Sequence, residues 1–324
     1  MKKLLLYIVI ILGLVGQVYC EILQIEAPKK GISFFTKYNK FSFNIIDTQT
    51  VDGYISTKTG KTITIEWGDG TSTTYSGYQA FSKDYGSVGN RIVTINNANA
   101  FTYFYVPTVG ANISFDIAKL PRNVTVLYIL GSNTIYGDIS KAPSALTYLY
   151  VAGNNTLSGD IGENLSSIAT FRIQGANTIG GDVNDISVLT TYFYITGNNI
   201  ITGDIANLKS ALATFYCRGN NTLYGDMGLI PSIMTSFAAD GFNTIDSYTS
   251  KSWPADMSFI NLEGIGGLSS AEVDQLLIDL STTTWAGTLK DIDLTGTGNA
   301  PRTSASDAAV ATLQGMGVTI TTNP

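Results

Sequence analysis

Tyr128, Tyr150, Arg172, Tyr194 and Tyr216 follow one another at a fixed interval of 22 residues, and Tyr105 precedes them with one residue more. Tyr103, Tyr148 and Tyr192 each stand two places earlier in their own intervals. Residues two apart on a strand share a face, and neighbouring strands lie about 4.8 Å apart, so on a stack of coils these side chains would line one outward strip. Phenol rings bring stacking area and a hydroxyl, and a guanidinium brings fixed charge on a planar fork of donors. Such a strip suits a sugar chain or a protein surface. The competing use is ring-on-ring stacking that only steadies the sheet, at about 0.2–1 kcal/mol per pair.

The remaining chemistry is thin. The chain contains no histidine, which removes the commonest general base, the commonest metal ligand and every triad that needs an imidazole. Its carboxylates recur in the pairs Gly137-Asp138, Gly159-Asp160, Gly181-Asp182, Gly203-Asp204 and Gly225-Asp226. Acids stacked in a row repel unless each accepts backbone N–H groups or a cation intervenes, and local turn bonding is the expectation. Calcium would need several such groups converging on one point, whereas a column supplies one per coil. A glycosidase would need two carboxyls facing each other across a cleft, about 5–10 Å apart. No phosphate-binding loop, zinc motif or nucleophile elbow is present. A net charge of -6 without a basic stripe argues against nucleic acid. Binding, rather than catalysis, is therefore expected, with no cofactor and no metal.

The elements that must position the strip follow from the same interval. Gly131, Gly153, Gly175, Gly197, Gly219 and Gly241 repeat on it, as do Asn133, Asn155, Asn177, Asn199, Asn221 and Asn243. Apolar residues stand seven, four and two places before each glycine, as in Leu146, Leu149 and Val151, and again four and eight places after it, as in Leu157 and Ile161. Units this small cannot bury their own apolar faces and become stable only when stacked. The spacing LxxLxLxxNxxL resembles the leucine-rich repeat family, and the stretch Leu157–Ile161 is similar to one of its subclasses without that subclass's proline. The resemblance implies a solenoid whose asparagines bond the turn backbone. A 22-residue coil leaves little room for a helix, so a strand, a turn and a short extended or 3₁₀ piece are predicted.

Residues 21–98 alternate in the manner of strands, as in Phe41-Ser42-Phe43-Asn44-Ile45. The segment Trp67-Gly68-Asp69-Gly70-Thr71, with Tyr85, Gly86 and Gly89 after it, resembles the polycystic-kidney-disease (PKD) type of immunoglobulin-like β-sandwich. That family's usual histidine before the later tyrosine is missing here. The solenoid is predicted over 99–250. Beyond it, Met257, Ile260 and Leu262 make a strand, Ser269 to Glu272 opens a capped helix carrying Val273, Leu276, Leu277 and Leu280, and Leu289, Ile292 and Leu294 make the next strand. Ser304 to Gln314 and Val318 to Ile320 supply a last helix and strand. These strand-helix units over 251–324 read as capping repeats, and similar endings occur in repeat proteins of bacterial surfaces and bacteriophage particles.

Residues 1–20 read as a secretory signal: Lys2 and Lys3, an apolar run from Leu4 to Val15, then a polar end. Cleavage after Cys20 is favoured over its lipidation, because Tyr19 stands where a lipidated leader wants a small residue. Attachment to a membrane would come only through that lipid. Cys217 falls on a core position, so no disulfide framework is expected. Taken together, the sequence predicts a β-rich, secreted or cell-surface recognition and adhesion protein that binds a glycan or protein through the strip. A structural component of an extracellular layer or phage particle, and a secreted polysaccharide-active enzyme, are the alternatives.

Overall fold

The computed structural model describes residues 39–107, 112–264, 267–287 and 289–324. The predicted leader, Cys20 and the opening stretch of the predicted sandwich lie outside them.

Between residues 103 and 261 the chain forms a β-solenoid of about seven turns with 22-residue coils. Its strands, in chain order, are β1 (Lys40–Thr57), β2 (Thr62–Glu66), β3 (Ser72–Ser76), β4 (Gln79–Asn96), β5 (Phe101–Val106), β6 (Ile113–Asp116), β7 (Val126–Asp138), β8 (Tyr148–Asp160) and β9 (Thr170–Asp182). They continue with β10 (Tyr192–Asp204), β11 (Thr214–Asp226), β12 (Ser236–Gly241), β13 (Thr244–Ser247), β14 (Phe259–Asn261), β15 (Asp291–Leu294) and β16 (Thr319–Thr322), and two helices, α1 (Ser270–Leu280) and α2 (Asp307–Gly315), fall before β15 and before β16.

Each full coil is one long strand bent at its glycine. Val126, Leu127, Tyr128 and Ile129 pair in parallel with Tyr148, Leu149, Tyr150 and Val151, and past the bend the register slips so that Asn133 faces Gly153. Gly153 has φ of +137°, and a Cβ there would strike the carbonyl oxygen of Gly131 one coil earlier, so both backbone shape and stacking distance demand glycine. The buried asparagines then tie the coils together. Asn155 Oδ1 accepts the N–H of Ile135 in the preceding coil at 2.9 Å, and its Nδ2 donates to the carbonyl of Gln174 in the following coil at 2.9 Å. The same pair of bonds recurs at Asn133, Asn177, Asn199 and Asn221. After the second half-strand the chain turns through a 3₁₀ piece such as Ile139–Lys141, in line with the short coil.

Inside, the apolar positions form one continuous core from Phe41 to Val318. Phe171, Phe193, Phe215 and Phe237 stack along it with centroids 5.2, 5.4 and 5.5 Å apart.

The N-terminal β region is joined to this stack. β1 pairs antiparallel with β4 along most of its length, bulging between Ile45 and Thr50. The half before the bulges also pairs with β6, and the half after them with β5. A single bent hairpin thus pairs with both half-strands of the first coil, and backbone bonding crosses the boundary drawn at residue 98. At the other end α1 begins with a reciprocal capping box between Ser269 and Glu272. Leu289, expected to share a strand with Ile292 and Leu294, lies before β15 and is 55% exposed. β15 begins only at Asp291, so the alternation that buries Ile292 and Leu294 does not extend to Leu289.

Candidate functional site

The register sets Tyr105, Tyr128, Tyr150, Arg172, Tyr194 and Tyr216 side by side on six adjacent strands. Their strand neighbours Leu149, Val151, Ile173, Ile195 and Cys217 are fully buried, and strand alternation turns the tyrosines and Arg172 to the opposite, outer side. All are half-buried, as are Tyr103, Tyr148 and Tyr192 beside them. The strip anticipated from the interval is therefore one surface, and every residue assigned to it lies there.

The rings cover one another. Tyr105 stacks on Tyr128 at 4.2 Å, Tyr128 meets Tyr150 edge-on at 4.9 Å, and Tyr194 stacks on Tyr216 at 5.2 Å. Three residues that carry no interval signal extend the row. Tyr54, opposite Tyr105 on β1, packs against it at 5.8 Å and stacks on Tyr78 at 5.6 Å. At the far end Phe259 stacks on Tyr216 at 5.3 Å, across the strand that carries the small, fully buried Ala238. From β1 to β14 the strip crosses eight strand spacings, about 38 Å. Because ring faces are occupied by neighbouring rings, the wall presents mainly ring edges and hydroxyls. Tyr54 and Tyr78 are the most open, at 39% and 61% exposed.

Burial raises the phenol pKa values at Tyr128, Tyr148 and Tyr192, and pushes Tyr103 and Tyr216 up to about 12. These five hydroxyls are thus protonated donors across the physiological range.

Arg172 interrupts the row in a specific way. Its guanidinium is held between two rings, 4.3 Å from the centroid of Tyr150 and 4.8 Å from that of Tyr194. Its Nε is buried without a hydrogen-bond partner, and among the described residues no carboxylate comes within ion-pair distance of it. Arg218, two coils further on, lies 3.3 Å from the carboxylate of Asp240. Two places before each member of the row, large and small residues alternate as Tyr103, Val126, Tyr148, Thr170, Tyr192 and Thr214. Thr170 therefore leaves a notch between Tyr148 and Tyr192 beside the guanidinium.

Past Phe259 the wall becomes acidic. Burial raises the pKa of Asp240, Glu263 and Asp291, and the charge of Asp293 raises all three further. The aspartate column is used locally: Asp116, Asp138, Asp160, Asp182, Asp204 and Asp226 each accept the N–H two residues on at 2.7–2.9 Å. Asp69 in the Trp67–Thr71 turn accepts from Thr71 in the same way and ion-pairs with Lys83 at 2.6 Å, which holds its carboxyl far below the usual range.

Comparison with protein-family models, with curated proteins and with solved structures finds no match to this chain.

Proposed function

We propose that this is an exported recognition protein that binds a protein partner on a cell surface through the wall running from Tyr54 to Phe259. The observation that carries the reading is the wall's make-up: a row of tyrosines with one arginine, each ring packed against its neighbour in the row. Tyrosine and arginine are the residues that dominate protein interfaces, because they bring contact area and directed polar groups at low entropic cost. A sugar ring stacks on a free aromatic face, and here most faces are taken, so the geometry favours a protein over a glycan. Export rests on the reading of residues 1–20 as a leader. The coils are read as a leucine-rich type of repeat, supported by the asparagine ladder, with 3₁₀ turns where longer repeats carry helices. The PKD-type reading of the N-terminal strands rests on the Trp67–Thr71 turn.

The test is a screen of surface proteins and glycans with the mature chain from Glu21. Replacing Tyr150, Tyr194 and Tyr216 with Ala is expected to weaken partner binding by about tenfold or more while urea unfolding stays cooperative. Unchanged binding by the triple variant rejects the wall.

A second reading, a structural component of an extracellular layer, draws on the two edge strands. β3 (STTYS) and β16 (TITT) end the sheet without a charged residue, and charge on an edge is a common guard against pairing with another chain. Concentration-dependent growth in light scattering would favour it; a monomer at all concentrations would not.

A further inference from the structure

On the same wall Arg218 has an acid of its own chain, Asp240, within ion-pair distance, whereas Arg91, in the N-terminal strands, lies over the ring of Tyr85 and donates to the Ser87 carbonyl. Arg172 has no such partner among the described residues, and two tyrosine rings grip it instead. Stacking fixes the guanidinium plane but satisfies none of its N–H groups, and a guanidinium fork matches a carboxylate with two parallel bonds. The phenols of Tyr148 and Tyr192 lie close enough for the Arg172 charge to act on both, and burial keeps both protonated, so they can add O–H donors. Thr170, directly between those two tyrosines on the pleat, leaves room for an incoming group. The corresponding notches at Val126 and Thr214 lie beside tyrosines and hold no cation.

We infer that the Arg172 notch is a carboxylate-binding site that receives an Asp or Glu side chain of the partner, with the guanidinium as its fork and Tyr148 and Tyr192 as its flanking donors. This rests on the reading of the wall as a protein-binding face. A planar carboxylate on a short, flexible side chain fits a shallow notch between phenols, and the strip's covered ring faces disfavour the ring of an acidic sugar as its carrier.

The test uses the whole mature chain with nitrogen-15-labelled arginine, titrated with N-acetyl-glutamate methylamide against sodium chloride at matched ionic strength. Five arginines, Arg91, Arg122, Arg172, Arg218 and Arg302, supply the signals, and Arg172→Lys identifies the one of interest. The Arg172 guanidinium signal is expected to shift saturably and several-fold further than those of Arg122, Arg218 and Arg302, with the Tyr148 and Tyr192 ring signals moving alongside it. A shift at Arg172 no larger than that at exposed Arg122 overturns the site. A larger saturable response to glucuronate than to the capped glutamate overturns the side-chain assignment and gives the notch to an acidic sugar. Because the probes are free small carboxylates, the result stands whether or not the tyrosine variants lose a partner, so failure of the notch and failure of the wall are told apart.

Discussion

Asn155→Ala is the sharpest test of how the wall is held. The side chain is fully buried and makes two bonds of 2.9 Å, accepting from the Ile135 N–H and donating to the Gln174 carbonyl. Truncation leaves both without their partner. Ile135 is itself fully buried, so its N–H has no route to water, and orphaning such a donor costs about 1–3 kcal/mol. Gln174 is half-buried, so its carbonyl can recover a water and the loss there is about 0.5–1.5 kcal/mol. The sum is about 1.5–4.5 kcal/mol, a large share of the roughly 5–15 kcal/mol that keeps a domain folded. Urea unfolding followed by circular dichroism reads the change, and exposed Asn154→Ala serves as the control. Coils in a stack couple to their nearest neighbours, so amide exchange should rise first at Ile135 and around Gln174. A loss below about 0.5 kcal/mol, or one matched by Asn154→Ala, would refute the claim that the ladder joins the coils.

Leu149→Asp puts a carboxylate into the dry interior one place from Tyr150, and no cooperative transition is expected; Leu149→Ala should lose about 2–5 kcal/mol and stay folded, as denaturant titration will show. Tyr103 and Tyr216 should ionise only near pH 12 in the folded chain, against about 10 when unfolded, so ultraviolet titration should show a late phase that disappears in denaturant. Since their folded pKa values are raised, the stability they contribute is complete below about pH 10 and is lost as pH climbs through about 12.

The repeat was legible because glycine, asparagine and the apolar positions each answer to one geometric demand that recurs at every coil. Gly153 must turn a corner against the Gly131 carbonyl, Asn155 must bridge coils, and the position of Leu149 must fill the core with a large apolar side chain, leucine in some coils and phenylalanine in others. Strand parity alone then turns Tyr128 and its equivalents outward. Tyr54, Tyr78 and Phe259 escaped because they reach the strip through antiparallel pairing and a small Ala238, neither of which leaves a periodic trace. The alternation of large and small residues along the column from Tyr103 to Thr214 was written in the sequence, yet its meaning depends on knowing that the rings lean on one another. Likewise the missing acid beside Arg172 is a fact of three dimensions. The way β1 pairs with both half-strands of the first coil depends on bulges near Thr48 that alternation alone does not mark.

Stacking and recognition make different demands on Arg172, and one substitution separates them. If the row serves stability alone, tyrosine is the natural occupant, since it fills every other place from Tyr105 to Tyr216. Arg172→Tyr exchanges two cation–π contacts, about 0.5–1 kcal/mol each, for two aromatic contacts of about 0.5–1.5 kcal/mol each. It also removes a buried Nε that lacks a partner, so stability should stay within about 1 kcal/mol of the parent or rise. Partner binding should fall, and its salt dependence should fade with it, because the one unpaired cation of the strip is gone. A variant that loses more than about 2 kcal/mol would show instead that the rings were arranged around the guanidinium for packing. One that keeps both stability and salt-dependent binding would show that the partner never reaches the notch.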